Sequence, residues 1–337
     1  MCYATLNHTR RSHPLASYLV TGAAGFIGAA ITRQLLALGH HVVGIDNLND
    51  AYDVRLKQWR LAQIGERPDF EFRTADVTDR AALDTAVPEG VAGILNLAAR
   101  AGVRYSVENP WVYIETNVTG CLNLLDLARR RGIPKFVQAS TSSLYGDSPR
   151  QPFVETAVTE QPLSPYAASK KGAEALCYSY HHLYGLDVSV PRFFTVYGPA
   201  GRPDMAPFRF VQWITEGRPL TLYGDGSQRR DFTFVDDIAR GAIAALKPVG
   251  YQVINLGSDE PVVLMDMIHL IEQLVGRQAN IVRHPPHAAD VQATWADIHK
   301  AEALLGWRPQ TTFRAGVTAL AEWYQRERAW AKDIATL

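Results

Sequence analysis

Cysteine is scarce: Cys2, Cys121 and Cys177 are the only three among 337 residues. None sits in a CxxC or Cys/His spacing of the kind that holds zinc, so no metal is expected and a reducing cytoplasm fits best. No stretch approaches a membrane-spanning run, and the opening residues MCYATLNHTRRSHP contain no apolar core of signal-peptide length. An excess of one charge is missing too. With 34 acidic and 34 basic side chains the formal net charge is zero, which gives no field favouring nucleic acid or an anionic membrane. Internal repeats, low-complexity tracts and charge blocks are absent.

What the chain does have is 47% apolar and 20% charged residues, the balance of a globular protein with one large or two ordinary domains. SYLVTG ends an apolar run in a glycine turn; GAAITRQLLALG then spaces Ile31, Leu35 and Leu38 as a helix does; HVVGID returns to strand pattern. The alternation continues through DFEFRTAD, GILNLAA, TNVTGCLNLLDLARRRG, KFVQAS, a helix from about Tyr166, and DVSVPRFF. Strands alternating with helices predict an α/β fold, a Rossmann-type doubly wound parallel sheet covered on both faces. After Phe194 the rhythm breaks at Pro199, Pro203, Pro207 and Pro219. Residues 1–15 are expected to form an extension, 16–194 the dinucleotide-binding domain, and 195–337 mainly a smaller, interleaved α/β domain for the substrate. A segment near 232–258 is expected to return to the first domain.

TGAAGFIG places Gly22, Gly25 and Gly28 after a strand and at the opening of a helix. Gly22 permits the tight turn, Gly25 lets a pyrophosphate approach the backbone, and Gly28 lets helix and sheet pack closely. Asp46 ends the next strand 18 residues after Gly28, where a carboxylate can accept bonds from the adenosine ribose. An acid there repels a 2′-phosphate, so NAD is expected rather than NADP. Asp76 follows the third strand and could meet the adenine, or serve equally well as an ordinary loop or N-cap aspartate.

SPYAASKKG sets Tyr166 and Lys170 one helical turn apart, with Ser164 and Pro165 as cap and first-turn signals. An ammonium close to a phenol lowers its pKa and favours phenolate, the form that can act as a base. Upstream, STSSLYG gathers four hydroxyls at a strand end, either as a turn satisfying its own backbone or as part of the site.

These stretches, with NLAARAGVRYS, TNVTG, RFFTVYG, RRDFTFVDD and LGW, resemble the extended short-chain dehydrogenases/reductases of the nucleotide-sugar epimerase, dehydratase and decarboxylase group. The match runs from about Tyr18 to about Tyr324. The resemblance implies that Tyr166 is the base, that Lys170 also binds the nicotinamide ribose, and that Thr141 bonds the reacting oxygen. It adds Phe26, Ile27, Asn47, Val77, Leu97, Ala98 and Ala99 to the NAD contacts. In relatives the two positions after Thr141 sort the chemistry, carrying Asp and Glu in dehydratases and Glu at the second in decarboxylases. Here they are Ser142 and Ser143, neither a competent general acid or base near pH 7, so hydride is expected simply to return to the other face.

RFFTVYGPAGRPDM resembles the UDP-glucuronic acid 4-epimerases, in which the residues matching Thr195 and Arg202 meet the sugar carboxylate; a planar guanidinium suits that task. The expected reaction is therefore reversible NAD-dependent C4 epimerisation of UDP-glucuronate. The rivals are a neutral-sugar 4-epimerase, a decarboxylase and a non-enzymatic NAD-binding regulator. The resemblance also assigns Arg104, Met205, Leu222, Tyr223, Arg230 and Asp290 to substrate binding, and a homodimer through helices near 105–130 and 166–185. Asn96, where many relatives have His, and His287 depart from the pattern at nucleotide contacts.

Overall fold

The computed structural model describes residues 15–148, 150–285 and 292–336. The first seven strands are β1 (Ser17–Thr21), β2 (His41–Asp46), β3 (Phe70–Thr74), β4 (Gly93–Asn96), β5 (Lys135–Gln138), β6 (Ser140–Thr141) and β7 (Asp187–Phe193). Next come β8 (Thr195–Tyr197), β9 (Pro219–Tyr223), β10 (Arg229–Phe234), β11 (Tyr251–Leu256), β12 (Pro261–Val263) and β13 (Asn280–His284). The main sheet runs β3-β2-β1-β4-β5-β7-β11, parallel throughout, with β6 carrying the line of β5 onward beside β7. This is the doubly wound Rossmann-type sheet that the alternation of strands and helices predicts. Strand order reverses between β1 and β4, which opens a crevice at their carboxyl ends.

Adjacent strand residues serve opposite faces. Leu19, Ile94 and Phe136 pack with Leu124, Ala173 and Cys177 on one side. Their neighbours Val20, Leu95 and Val137 pack with Ile31, Leu35, Ile238 and Ala242 on the other. Both faces are therefore apolar and covered, as a parallel sheet requires.

A smaller α/β unit gathers the sheet β12-β10-β8 and the pair β13-β9 around Phe208, Trp213, Trp323 and Tyr324. Between these pieces the helix Val235–Ala244 packs with the helix Phe26–Ala37, and β11 closes the edge of the main sheet beside β7. No helix among the described residues is long and apolar enough to cross a membrane.

Pro191 stands in the middle of β7, where a missing N–H should break a ladder. Val188 and Phe194 donate toward the β11 side, to Gly250 and Leu256. Residues of odd number in this strand therefore face β5 and β6. There the partner itself is interrupted, because β5 pairs with Asp187–Ser189, β6 with Arg192–Phe193, and Ala139 lies between. The proline lacks its donor at the gap.

The next residue, Arg192, makes a buried two-pronged pair with Glu174 of the helix Pro165–Tyr184 (Nε–Oε1 2.9 Å, Nη2–Oε2 2.8 Å), and the Ser140 hydroxyl donates to the same carboxylate at 2.6 Å. Both ionic side chains are almost wholly enclosed. Glu174→Ala is expected to cost about 3–5 kcal/mol, because an uncompensated guanidinium stays behind. Removing Glu302 from the exposed Arg308 pair should cost far less. Urea denaturation of both variants, with unchanged m-values, checks the difference.

Candidate active site

The glycine turn between β1 and the first helix is sterically closed. Gly22 has φ +67°, and a Cβ there would lie 2.9 Å from the Ala98 nitrogen; a Cβ on Gly28 would lie 2.1 Å from the Gly22 carbonyl oxygen. Gly25 is the N-cap of the helix that Phe26 and Ile27 open, and no side chain caps it. Asp53, Asp79, Ser164 and Thr312 cap their helices by accepting an amide. The uncapped first turn keeps N–H groups for a bound anion, the arrangement that suits a pyrophosphate.

Asp46, at the end of β2, accepts from the Ala24 amide (3.2 Å) and the Leu48 amide (2.8 Å), with the buried Lys57 ammonium at 3.4 Å. Its neighbour Asn47 donates to Asp76 at 2.7 Å. The other Asp76 oxygen accepts from the Thr78 amide and hydroxyl, at 2.8 and 2.7 Å. These bonds hold the Asp76 carboxyl below its usual range against the opposing effect of burial. Asp76 thus organises its own loop and reaches Asn47, while the N-cap of the following helix is Asp79. Val77 is buried under Gly120, and Leu97 and Ala98 are tied to Thr21 through their amides. Ala99 is the exposed member of that loop. Asn96 accepts from the Thr21 hydroxyl (2.6 Å) and donates to Gln138 (2.8 Å), so it joins β1, β4 and β5 at their carboxyl ends. These residues together fit a dinucleotide.

Ser164 caps the helix Pro165–Tyr184 with Pro165 in its first turn, and the helix carries Tyr166 and Lys170. Thr141 ends β6 and caps the short 3₁₀ turn Ser142–Tyr145, accepting from the Ser143 amide and donating to the Ser143 hydroxyl, both at 3.1 Å. The hydroxyl run is therefore a turn that satisfies its own backbone and, in the same atoms, one wall of the site.

The sequence reading that Lys170 lowers the Tyr166 phenol needs correction, since Lys170 is not among the groups that shift it. Burial pushes the phenol up, and the opposing influences are the Thr141 hydroxyl and the Arg202 guanidinium. Lys170 is itself enclosed, and desolvation presses its ammonium down against the favourable fields of Cys121, Glu174 and Cys177. Among the described residues it makes no side-chain hydrogen bond. A buried ammonium of that kind suits ribose hydroxyls.

Tyr113 stands edge-on to Tyr166, ring centroids 6.1 Å apart, and its hydroxyl donates to the Gly102 carbonyl at 2.9 Å. Asn117, in a π-helical turn, accepts from the Arg100 amide and donates to Ser169, at 2.8 and 2.9 Å. Neither Tyr113 nor Asn117 is flagged by the sequence reading; the polar pair inside the apolar spacing of WVYIETNVTG is the signal that was there.

Across the crevice, Thr195 begins β8, and Arg202 lies on the loop before Met205, which is the N-cap of the helix Ala206–Glu216. Arg202 is paired with Asp204, Nε–Oδ1 3.0 Å and Nη2–Oδ2 2.5 Å. Arg104 stacks over the Tyr223 ring at 5.0 Å. Leu222 is a buried core side chain, so a nucleotide would meet its backbone rather than its methyls. Arg230 donates to the Arg229 carbonyl at 2.9 Å. Asp290 and His287 lie outside the described residues. Arg209, missed in the sequence, stacks on Trp213 at 4.6 Å with its Nε buried and without a partner among the described residues. Burial and the Arg104 charge both press its guanidinium downward, as at a site built for an anion.

A model of the family described as "NAD dependent epimerase/dehydratase family" matches residues 18–257. The chain belongs to that family. It is 52% identical over 320 residues to the UDP-glucuronate 4-epimerase of Thermodesulfobacterium geofontis, covering 94% of this chain and 98% of that protein. Its structure is similar to the crystal structure of the Bacillus cereus UDP-glucuronic acid 4-epimerase in complex with UDP-glucuronic acid and NAD, with TM-score 0.86, 34% identity and coverage of 92% of this chain and 99% of that one. The Thermotoga maritima UDP-glucose 4-epimerase is also similar, with TM-score 0.85, 28% identity and coverage of 93% and 99%. The backbone alone therefore does not separate acidic from neutral sugars.

Gly28→Ala tests the cofactor turn. The added methyl can be accommodated only by moving the turn, so the purified variant is expected to lose bound NAD, read as the absorbance of nucleotide released on denaturation. Gly132→Ala is the control: its φ is +62° in open space, so it strains only its own loop and keeps NAD.

Proposed function

We propose that the chain interconverts UDP-glucuronate and UDP-galacturonate at C4, with NAD retained through the cycle. The observation that carries this reading is the Arg202 guanidinium beside the Tyr166 phenol, with serines at the two positions where elimination or decarboxylation would need an acid.

Gly22, Gly25, Gly28, Asp46 and Lys170 would hold NAD, which when bound supplies the acceptor and later the donor of a hydride. Tyr166 takes the proton from the sugar O4, and the Thr141 hydroxyl bonds that oxygen and keeps it within reach. Ser142 and Ser143 offer hydrogen bonds but no proton transfer near neutral pH, so nothing in the site expels water. The 4-keto sugar then turns about its link to the diphosphate, and its other face is reduced as Tyr166 returns the proton. A ketone β to a carboxylate loses carbon dioxide readily. Thr195 and Arg202 hold the carboxylate near the ring plane, where its C–C bond cannot align with the carbonyl π system.

Arg104, Arg209 and Arg230 are the cations for the diphosphate, with Met205, Leu222, Tyr223 and Asp290 toward the uridine. Val107, Trp111, Leu122, Tyr178 and Leu183 leave an exposed apolar surface along the helical stretches near 105–130 and 166–185, which supports a homodimer. A cytoplasmic setting accords with a nucleotide-sugar substrate and the two free buried cysteines.

Purified protein incubated with UDP-glucuronate should yield a product of unchanged mass whose proton NMR is that of the galacto epimer. No conversion, alongside turnover of UDP-glucose, would overturn the assignment. Tyr166→Phe should lose roughly 100-fold or more in kcat while NAD and UDP-sugar still bind. Arg202→Ala should cut kcat/KM for UDP-glucuronate by roughly 10- to 150-fold, the loss of a charge-assisted bond, and raise the share of decarboxylated product. Steady-state kinetics with mass spectrometry checks both.

A further inference from the structure

We propose that Asp204 is the positioning residue that makes Arg202 selective for an acidic sugar: its carboxylate grips one edge of the guanidinium so that the other edge is presented to the substrate carboxylate. This rests on the epimerase reading above and deepens it.

A guanidinium has two edges that can each bond a carboxylate with two parallel N–H groups, one formed by Nε and Nη2 and one by Nη1 and Nη2. Asp204 occupies the first, with both contacts made. Among the described residues no acceptor bonds Nη1, so the second edge is free. The gripped edge has a defined neighbour. A Cβ built on Gly102 would lie 3.7 Å from Arg202 Nη2 and 3.8 Å from Asp204 Oδ2, and also 3.6 Å from the Tyr113 hydroxyl. The pair therefore lies against Gly102 and Tyr113, and Tyr113 stands edge-on to Tyr166.

The loop is held as tightly as the side chains. Buried Arg60 bonds the Ala200 carbonyl at 2.7 and 3.0 Å and the Ala24 carbonyl of the glycine turn at 3.2 Å. At the other end the Met205 amide closes on the Arg202 carbonyl at 3.2 Å, and Pro203 fixes a backbone dihedral between the two charges. Arg202 thus starts from a rigid backbone, and only its long stem remains to be ordered.

Stability does not account for the pair. The Arg202 and Asp204 side chains are 25% and 40% exposed, and ion pairs of that kind contribute little to folding. An unpaired guanidinium on that stem would sample several directions and lose the freedom on binding, whereas a paired one arrives already aimed. A neutral hydroxymethyl group cannot use the second edge in this way, so the alignment benefits a hexuronate alone.

The pair also sets the field at the base. Arg202 pulls the Tyr166 phenol down and Asp204 pushes it up, while the Thr141 hydroxyl also lowers it and Tyr113 adds a neutral ring. The same two charges act with the same signs on Tyr113, whose phenol burial pushes up to about 12. Arg209 also faces Asp204, and Lys170 lies a turn below on the helix of Tyr166. Removing the Asp204 charge leaves the cation uncompensated, favours phenolate, and moves the acid limb of activity to lower pH.

The test compares Asp204→Ala, Asp204→Asn and Asp204→Glu with wild type on UDP-glucuronate, using UDP-glucose as a competing ligand. Asp204→Ala should raise KM for UDP-glucuronate by about 5- to 50-fold with kcat within about threefold, while the inhibition constant of UDP-glucose changes less than about twofold. Asp204→Glu should recover part of the loss, and Asp204→Asn should shift the acid limb of the kcat/KM profile downward in pH. A lower KM in Asp204→Ala would mean that Asp204 competes with the substrate, and would overturn the proposal. So would equal losses for both sugars, or an acid limb that stays in place in Asp204→Asn. A wild-type enzyme that does not convert UDP-glucuronate would instead sink the epimerase reading itself.

Discussion

The buried pair between Glu174 and Arg192 is the contact on which the geometry of the candidate site rests. It joins the helix that bears Tyr166 and Lys170 to strand β7, and through the Ser140 hydroxyl it reaches the strand end that bears Thr141. Three separate elements are thereby fixed to one carboxylate. The Arg192 guanidinium also lies over the Tyr145 ring at 5.0 Å, and the Tyr145 hydroxyl donates to Asn255 on β11 at 2.6 Å. The network thus continues from the helix of Tyr166 to β11, the edge strand beside β7. Two ions in an apolar setting tolerate little displacement, since each depends on the other for its hydrogen bonds. Precision at the phenol is thus inherited from rigidity beneath it.

Arg60 plays the matching part on the opposite side. By bonding carbonyls of the glycine turn and of the loop before Arg202, it makes the nucleotide end and the sugar end a single body. Ala200, which accepts two of those bonds, sits at φ +52°, a conformation a non-glycine residue holds only when its surroundings enforce it. The two arginines, Arg60 and Arg192, are interior parts of the frame, and neither is positioned to touch a ligand by anything in the sequence pattern.

That contrast explains what could be read from the chain. The sheet was legible because each face of each strand is apolar and the helices repeat at helical spacing. The glycine turn was legible because its residues answer to backbone sterics, and Gly22 and Gly28 have no room for a side chain. Ser164, Tyr166 and Lys170 were legible because they act within one helix. The rest depends on pairings across the fold. Asp76 could be read as a cap or a ligand; in the structure the helix cap is Asp79, and the Asp76 carboxylate bonds Thr78 and Asn47. The state of Tyr166 was misjudged because burial, Thr141 and Arg202 act on it together, and only Lys170 lies close in sequence. Arg209 and Asp204 look like ordinary surface charges in a string of letters; one has a buried nitrogen without a partner among the described residues and the other occupies half of a fork. Even Pro191 argues against a central strand until the gap at Ala139 is seen beside it.

The arginine cluster at the nucleotide end has a consequence for the life of the molecule. The Arg104 charge opposes that of Arg209, whose buried Nε has no partner among the described residues. A charged ligand removes that penalty only from the folded state, so the resting protein is the weaker one and the working protein the stronger. Chaperones and proteases sample the open population. A copy that holds an anion there is therefore expected to resist proteolysis better than one that does not.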